Sequence, residues 1–144
     1  MVSEEATGIR IGPALVGEMF EHARSVAPDE CCGLLGGRGA QAVSVYPLRN
    51  VAGDAGVAYE AAPEELFAAQ REMRARGETL LAIYHSHPRS EDPSPSPADV
   101  RLAFYPSAVY LIIGFDGEGR GVLRAFRISE AEGRWERVPL EAGV

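Results

Sequence analysis

The sequence contains no lysine, and all 14 of its basic residues are arginine. Without a lysine amine, the chain cannot form a Schiff base with a carbonyl substrate, nor complete the lysine-containing phosphate loop of many nucleotide-binding proteins. The basic residues are outnumbered by 21 acidic ones, which gives a formal net charge of −7. This acidic balance argues against nucleic acid or an anionic membrane surface as a partner.

Cysteine is scarce, and long apolar runs are missing. The only two cysteines, Cys31 and Cys32, are adjacent, which argues against a disulfide framework and fits a reducing compartment. No apolar run reaches the length of a membrane span, and the N-terminal segment MVSEEATGIR lacks the pattern of a signal peptide. We therefore expect a cytoplasmic protein, folded as a single domain over residues 1–144.

The apolar periodicity predicts strands and helices that interleave along the chain and end in a meander. We expect helices at 13–26, 63–76 and 96–104. We expect strands at 8–11, 31–37, 41–48, 79–85, 108–115, 121–128 and 134–140, with a further edge strand near 57–60. The run at 108–115 is almost wholly apolar, which favours a central strand buried on both faces. The pattern predicts an α/β fold, with a mixed β-sheet flanked by helices.

The stretch from Thr79 to Asp99 carries the most informative polar residues. Its apolar run leads directly into His85 and His87, and a loop rich in proline and serine follows. If the strand continues through His87, the two imidazoles share one face, because alternate residues of a strand point the same way. Two neutral imidazoles and a carboxylate that converge on one point suit a catalytic zinc site with an open fourth position.

A purely structural interpretation of these residues is also open. The two histidines could be exposed to solvent, or satisfied by acidic side chains of the loop such as Glu91 and Asp92. Ser96 and Asp99 have the spacing of a helix start, with serine as the N-cap and aspartate as the acidic N3 residue. The two interpretations are compatible, because a helix N-terminus can present both side chains to a nearby metal.

The combination of these residues resembles the JAMM motif of the MPN-plus (JAB) metallopeptidases. In that motif two histidines one residue apart, here in His85-Ser86-His87-Pro88, are followed by a serine and then an aspartate three residues later, here in Ser96-Pro97-Ala98-Asp99. A glutamate also precedes an upstream apolar strand, and Glu30 stands in that place. The order of predicted elements is similar to that of the family over residues 9–128.

The loop departs from the family pattern by one residue. Eight residues separate His87 from Ser96, where seven are usual, and an extra residue in a surface loop costs little. Ser94 is the nearest alternative, but it would put Asp99 at the wrong offset. We therefore assign the serine of the motif to Ser96.

The resemblance implies a JAMM/MPN architecture, which is similar to that of cytidine deaminases, and a role for each residue of the motif. His85, His87 and Asp99 would ligate one Zn²⁺ that also holds a water. Glu30 would take a proton from that water and pass it to the leaving amine, and Ser96 would donate a hydrogen bond to the developing oxyanion. The deaminase signature itself, His-x-Glu with Pro-Cys-x-x-Cys, is absent, which excludes deamination.

The compact chain resembles the short bacterial branch of the family, which is associated with ubiquitin-like sulfur-carrier proteins. The resemblance implies hydrolysis of the amide after the C-terminal Gly-Gly of such a protein, whose tail would be the partner. A homodimer is an open possibility. Two other functions stay open: a non-catalytic MPN scaffold, and a zinc peptidase or amidase for small peptide conjugates. A cysteine hydrolase built on Cys31 is disfavoured, because cysteines inside an apolar strand are more often core residues.

Overall fold

A computed structural model describes residues 8–142 of the chain. Most of the segment MVSEEATGIR, for which we expect no targeting signal, lies outside this range. The elements in chain order are β1 (Ile9–Ile11), α1 (Pro13–Val26), β2 (Cys32–Arg38), β3 (Gln41–Leu48), α2 (Pro63–Ala75), β4 (Thr79–Ser86), α3 (Pro97–Arg101), β5 (Val109–Phe115), β6 (Gly121–Ser129), β7 (Arg134–Arg137) and β8 (Leu140–Ala142). No helix within residues 8–142 is long and apolar enough to cross a membrane.

The strands form one mixed sheet in the order β7-β6-β5-β4-β2-β3-β1-β8. β4 and β5 run parallel at its centre, and β2 and β3 form an antiparallel hairpin beside β4. The meander β5-β6-β7 is antiparallel. The α/β fold with a mixed sheet flanked by helices is therefore confirmed.

The single final strand expected over 134–140 is wrong. The chain instead makes two short strands at opposite edges of the sheet, with β7 on β6 and β8 on β1. Only Val138 and Pro139 lie between them, so the two edges must approach each other. Val138 N–H donates to Ala125 O at 3.0 Å, whereas Pro139 has no N–H to continue that ladder and its carbonyl accepts from Ile9 N at 3.2 Å. The sheet is therefore strongly curled.

The sheet carries a hydrophobic core on each face. One core includes Met19 of α1 together with Tyr84 of β4, and the other includes Met73 of α2 together with Ile83 of β4. Neighbouring strand residues thus alternate between the cores, as strand geometry requires. β5 contributes to both cores, which agrees with the central position predicted for it.

Two local expectations differ from the structure. The third helix ends at Arg101, with Leu102 as its C-cap, rather than near 104. No edge strand forms over 57–60, and the nearest pairing is the isolated bridge between Asn50 and Ala61, just after this segment. The reason lies in the side chain of Asn50, which bonds backbone groups that a strand ladder would have used.

Candidate metal centre

The candidate site is built at the carboxyl end of β4. His85 pairs with Cys32 on one side and Ile112 on the other, and its side chain is completely buried. The next alternate residue, His87, continues the extended backbone because its N–H donates to Ile113 O at 2.8 Å. The two imidazoles therefore point the same way, and their Nε2 atoms lie 3.2 Å apart.

The N-terminus of α3 places a carboxylate against both histidines. Ser96 caps the helix: its Oγ accepts from Asp99 N–H at 3.1 Å, and its own N–H donates to Asp99 Oδ2 at 2.9 Å. That same Oδ2 atom lies 3.1 Å from Nε2 of His85 and 3.1 Å from Nε2 of His87. The capping box and the convergence of side chains thus coexist, and the cap fixes the orientation of the carboxylate.

The distances among these three atoms fit a zinc ion. Zinc binds imidazole nitrogen and carboxylate oxygen at about 2.0–2.1 Å with tetrahedral geometry, so its ligand atoms lie about 3.3–3.4 Å from one another. The observed separations of 3.1–3.2 Å among His85, His87 and Asp99 form nearly such a triangle. Three protein ligands with the fourth position open is the arrangement of catalytic zinc sites.

The pKa values of the three side chains are shifted in different directions. Burial lowers the pKa of His85 despite its hydrogen bond to the Asp99 carboxylate, so its imidazole is neutral. Burial also acts to lower the pKa of His87, but the hydrogen bond and charge of Asp99 outweigh it and raise that pKa. Burial opposes ionisation of Asp99 as well, yet its bonds to the two histidines dominate and lower its pKa. Asp99 is therefore a carboxylate, whereas the raised pKa of His87 means that a proton competes more strongly with a metal for this ring than for that of His85.

Glu30 lies beside the two histidines, just ahead of β2. A carboxylate oxygen of Glu30 and ring nitrogens of His85 and His87 lie within 4.8 Å of one another. The residue is only 6% exposed, and its Oε1 atom has no hydrogen-bond partner in the described part of the chain. Burial and the charge of Asp99 raise the pKa of Glu30 to about 7, against the opposing effect of His87. A carboxylate that titrates near neutrality can both accept and return a proton.

The loop between His87 and Ser96 is firmly attached to the sheet despite its extra residue. Ser90 O accepts from Phe115 N–H at 2.9 Å. Pro93 is fully buried beside Gly114, and a Cβ at that glycine would meet Ser90 O and the proline ring. At the surface, Asp92 forms ion pairs with Arg124 of β6 and Arg137 of β7. The loop is therefore held on β5 and β6, which fixes the start of α3.

Other polar residues of this stretch behave as structural residues. Ser86 points to the opposite face from the histidines, as alternation predicts, and its buried Oγ accepts from Cys31 N–H at 2.8 Å. Both cysteines are buried, and burial raises the pKa of Cys31 to about 11 and that of Cys32 to about 12. The thiols are therefore protonated core groups, which argues against a cysteine nucleophile.

Sequence reasoning missed Tyr59. Its ring stacks on the imidazole of His85, with centroids 4.5 Å apart and an angle of 24° between the planes. Tyr59 also helps to line an apolar pocket of about 100 Å³, together with Leu102 and Tyr105. No local pattern marks Tyr59, because only the path of the 51–60 loop brings it to β4.

The comparison with known families is decisive. Residues 12–129 match the family described as prokaryotic homologues of the JAB domain. The chain belongs to this family. The match covers α1 through β6, and with them all five residues of the JAMM-like motif.

Named relatives of this family member are peptidases. A "Desampylase" of Haloferax volcanii is 41% identical over 69% of this chain and 75% of its own length. The "Probable TtuB-protein conjugate cleaving protease" of Thermus thermophilus is 38% identical over 82% of this chain and 74% of its own. The "CysO-cysteine peptidase" of Mycobacterium tuberculosis is 36% identical over 79% and 78%, respectively. These names support hydrolase activity for the present chain.

Solved structures agree on the fold. A protein of Desulfitobacterium hafniense is 37% identical, with a TM-score of 0.77 over 92% of each chain. A JAB1/MPN domain protein from Archaeoglobus fulgidus is only 18% identical, yet has a TM-score of 0.58 over 92% of this chain and 97% of its own. The JAMM/MPN architecture expected from the sequence is therefore confirmed.

Proposed function

We propose that this protein is a zinc-dependent isopeptidase that hydrolyses the amide bond after the C-terminal Gly-Gly of a ubiquitin-like or sulfur-carrier protein. The observation that carries the proposal is the triangle of His85, His87 and Asp99, with the unpartnered Oε1 of Glu30 beside it. The printed names of three relatives, two of which refer to conjugates or to a carrier-cysteine substrate, support the choice of substrate class.

Each residue of the site has a distinct task in this mechanism. His85, His87 and Asp99 would hold Zn²⁺, which would supply Lewis-acid activation of water and of the scissile carbonyl. Glu30 takes up a proton from the attacking water at its free carboxylate oxygen, as the water oxygen bonds to the carbonyl carbon. It then delivers this proton to the amine nitrogen as the carbon–nitrogen bond breaks.

Ser96 can act without giving up its role in the helix cap. Its oxygen accepts the cap bond from Asp99 N–H, which leaves the hydroxyl proton available. That proton is donated to the oxyanion that develops on the substrate carbonyl. We therefore infer that the Ser96 hydroxyl accepts a hydrogen bond that caps the helix and donates a second hydrogen bond to the oxyanion.

The surroundings of the site suit an extended tail. The apolar pocket beside Tyr59 is on the same face of the sheet as His85, because its floor includes Ile83, two residues earlier on β4. Leu102 and Tyr105 are exposed at its outer wall. Such a pocket suits an apolar side chain of the tail, while the residues next to the scissile bond would be the small Gly-Gly pair.

The leaving group is the point on which the relatives differ. The mycobacterial name refers to CysO-cysteine, whereas the Thermus name refers to TtuB-protein conjugates. A peptidase for small conjugates would use the same zinc site. A non-catalytic scaffold is disfavoured, because this chain keeps a complete set of converging donor atoms.

The proposal is tested by incubating the zinc-loaded protein with carrier fusions that end in Gly-Gly-X, where X is either one amino acid or a lysine-linked protein. Mass spectrometry should show release of X with an intact Gly-Gly terminus on the carrier. The Glu30→Gln protein and the chelated wild type are the controls, and neither should release X. Stoichiometric zinc with no release from either class of fusion would overturn the proposal.

A further inference from the structure

Asn50 makes a complete set of side-chain hydrogen bonds where the two ends of the 51–60 loop meet. Its Nδ2 donates to Glu30 O at 2.9 Å and to Ala58 O at 3.0 Å. Its Oδ1 accepts from Ala52 N–H and from Glu60 N–H, both at 3.0 Å. A side-chain amide has two donors and two acceptor positions, so the capacity of Asn50 is fully used. The mechanism above assigns it no part.

One of these bonds reaches the candidate general base. Glu30 precedes β2, so its peptide groups lie outside the strand ladder. Its N–H donates to Ala55 O at 2.7 Å, and its carbonyl accepts from Asn50. Both backbone groups of Glu30 are thus held by the loop that Asn50 closes. Since no hydrogen bond from a described residue orients the Oε1 atom, the position of that atom depends strongly on the backbone.

Two further bonds fix the aromatic ring that covers His85. The peptide groups on either side of Tyr59 are Ala58 C=O and Glu60 N–H, and both bond the side chain of Asn50. The Tyr59 ring between them stacks on His85. Because this segment is not a strand, the amide of Asn50 takes the place of a ladder, aided by the bond from Val51 N–H to Glu60 O at 2.8 Å.

We infer that Asn50 is a positioning residue, whose single side-chain amide holds Glu30 and Tyr59 in place against the metal centre. The catalytic part of this inference rests on the proposed function. Residues that support a metal site in this way typically change activity by about 10- to 100-fold when they are replaced. If Asn50 only stabilised the loop, its replacement would lower the melting temperature of the protein and leave turnover unchanged.

Asn50→Asp is the sharpest variant, because aspartate keeps the size and the two acceptor bonds but cannot donate to Glu30 O and Ala58 O. Asn50→Ala removes all four bonds and is the second variant. Ser44→Ala is the matched control: it removes one hydroxyl bond, to Glu78 Oε2 at 2.8 Å, away from the metal centre. Each protein is compared for zinc content, melting temperature, kcat and KM on a Gly-Gly-X fusion.

For Asn50→Asp we expect kcat to fall about 10- to 100-fold with zinc bound and KM nearly unchanged, the signature of a lost transition-state effect. Ser44→Ala should lose stability but keep the wild-type kcat. Hydrogen exchange should accelerate in Asn50→Asp at residues 51–60 and at Glu30, with the rest of the sheet still protected. Wild-type turnover in both Asn50 variants, or an equally protected loop, would overturn the inference.

Hydrogen exchange also separates this inference from the proposed function. If wild-type protein with bound zinc cleaves no fusion, the proposed function fails, and the exchange of the loop still decides whether Asn50 holds it. The wild type provides a measurement that needs no variant to fold. The amides of Ala52 and Glu60, which donate to Asn50 Oδ1, should exchange slowly, and rapid exchange there would contradict the inference.

Discussion

Two glutamates are buried in this protein to the same degree, and their surroundings are opposite. Glu30 is 6% exposed and Glu78 is 7% exposed. Both oxygens of Glu78 accept hydroxyl hydrogen bonds at 2.8 Å, from Ser44 to Oε2 and from Tyr46 to Oε1. Oε1 of Glu30 accepts none from the described residues and lies beside two histidines.

The difference separates a carboxylate that supports the fold from one that is available for chemistry. A buried polar group without a partner costs about 1–3 kcal/mol, so a structural carboxylate is expected to be satisfied. Glu78 meets this expectation, and even Gly36 contributes, since a Cβ there would meet Glu78 Oε1. The unsatisfied oxygen of Glu30 instead fits a group whose partner arrives with the substrate or the metal-bound water.

The largest expected effect comes from replacing each glutamate by glutamine. Glu30→Gln cannot take a proton, and we expect kcat to fall by about 10²–10⁴-fold with zinc still bound. Glu78→Gln should keep near wild-type kcat. The measurement is single-turnover cleavage of a Gly-Gly-X fusion by proteins of verified zinc content. Equal loss of activity in both variants would remove the distinction between the two carboxylates.

The next effect concerns Ser96, whose side chain combines a structural role, as in Glu78, with a proposed catalytic role, as in Glu30. Ser96→Ala removes the hydroxyl proton and the cap, so we expect kcat to fall by about 10²–10³-fold and stability by about 0.5–2 kcal/mol. Ser96→Thr keeps both groups and is the control. A loss of stability without loss of kcat would show that Ser96 is only a helix cap.

Glu78 should show the reverse pattern from Glu30. Glu78→Ala leaves the hydroxyls of Ser44 and Tyr46 without their charged partner, and we expect a loss of about 1–3 kcal/mol in the free energy of unfolding. The activity of each folded molecule should be unchanged. Urea unfolding gives the stability, and active-site titration with zinc gives the folded fraction. A Glu78→Ala protein that is as stable as the wild type would contradict the structural role.

The smallest effect concerns His22, a polar group on the other face of β4. Its Nδ1 lies 2.7 Å from the hydroxyl of buried Tyr84, and burial lowers the pKa of His22 below 6.5. The unfolded chain therefore takes up a proton first as the pH falls, and stability is lost from pH 6.5 downward. In His22→Gln this part of the pH dependence should disappear, as followed by urea unfolding of zinc-saturated protein. An identical slope in both proteins would contradict the assignment.

Long segments with a clear apolar pattern were predicted well from the sequence, and short segments were predicted poorly. The strands at 79–85 and 108–115 were predicted closely, because each is a strong apolar run with turn residues after it. The segment 134–140 was not, because a short charged strand carries little pattern and its partner is decided by the curl of the whole sheet. The segment 57–60 was misjudged for a related reason: the side chain of Asn50, rather than a neighbouring strand, takes its backbone groups.

The sequence by itself determined the local half of the site. A strand period of two places His85 and His87 on one face, and the Ser96–Asp99 spacing makes a capping box, because both follow from backbone geometry over a few residues. Resemblance to the family was needed to select Glu30. Only the tertiary structure brought Glu30, Tyr59 and Asn50 to β4, since contacts between distant segments depend on how the sheet and its loops pack. The same packing leaves Glu30 unsatisfied while it satisfies Glu78.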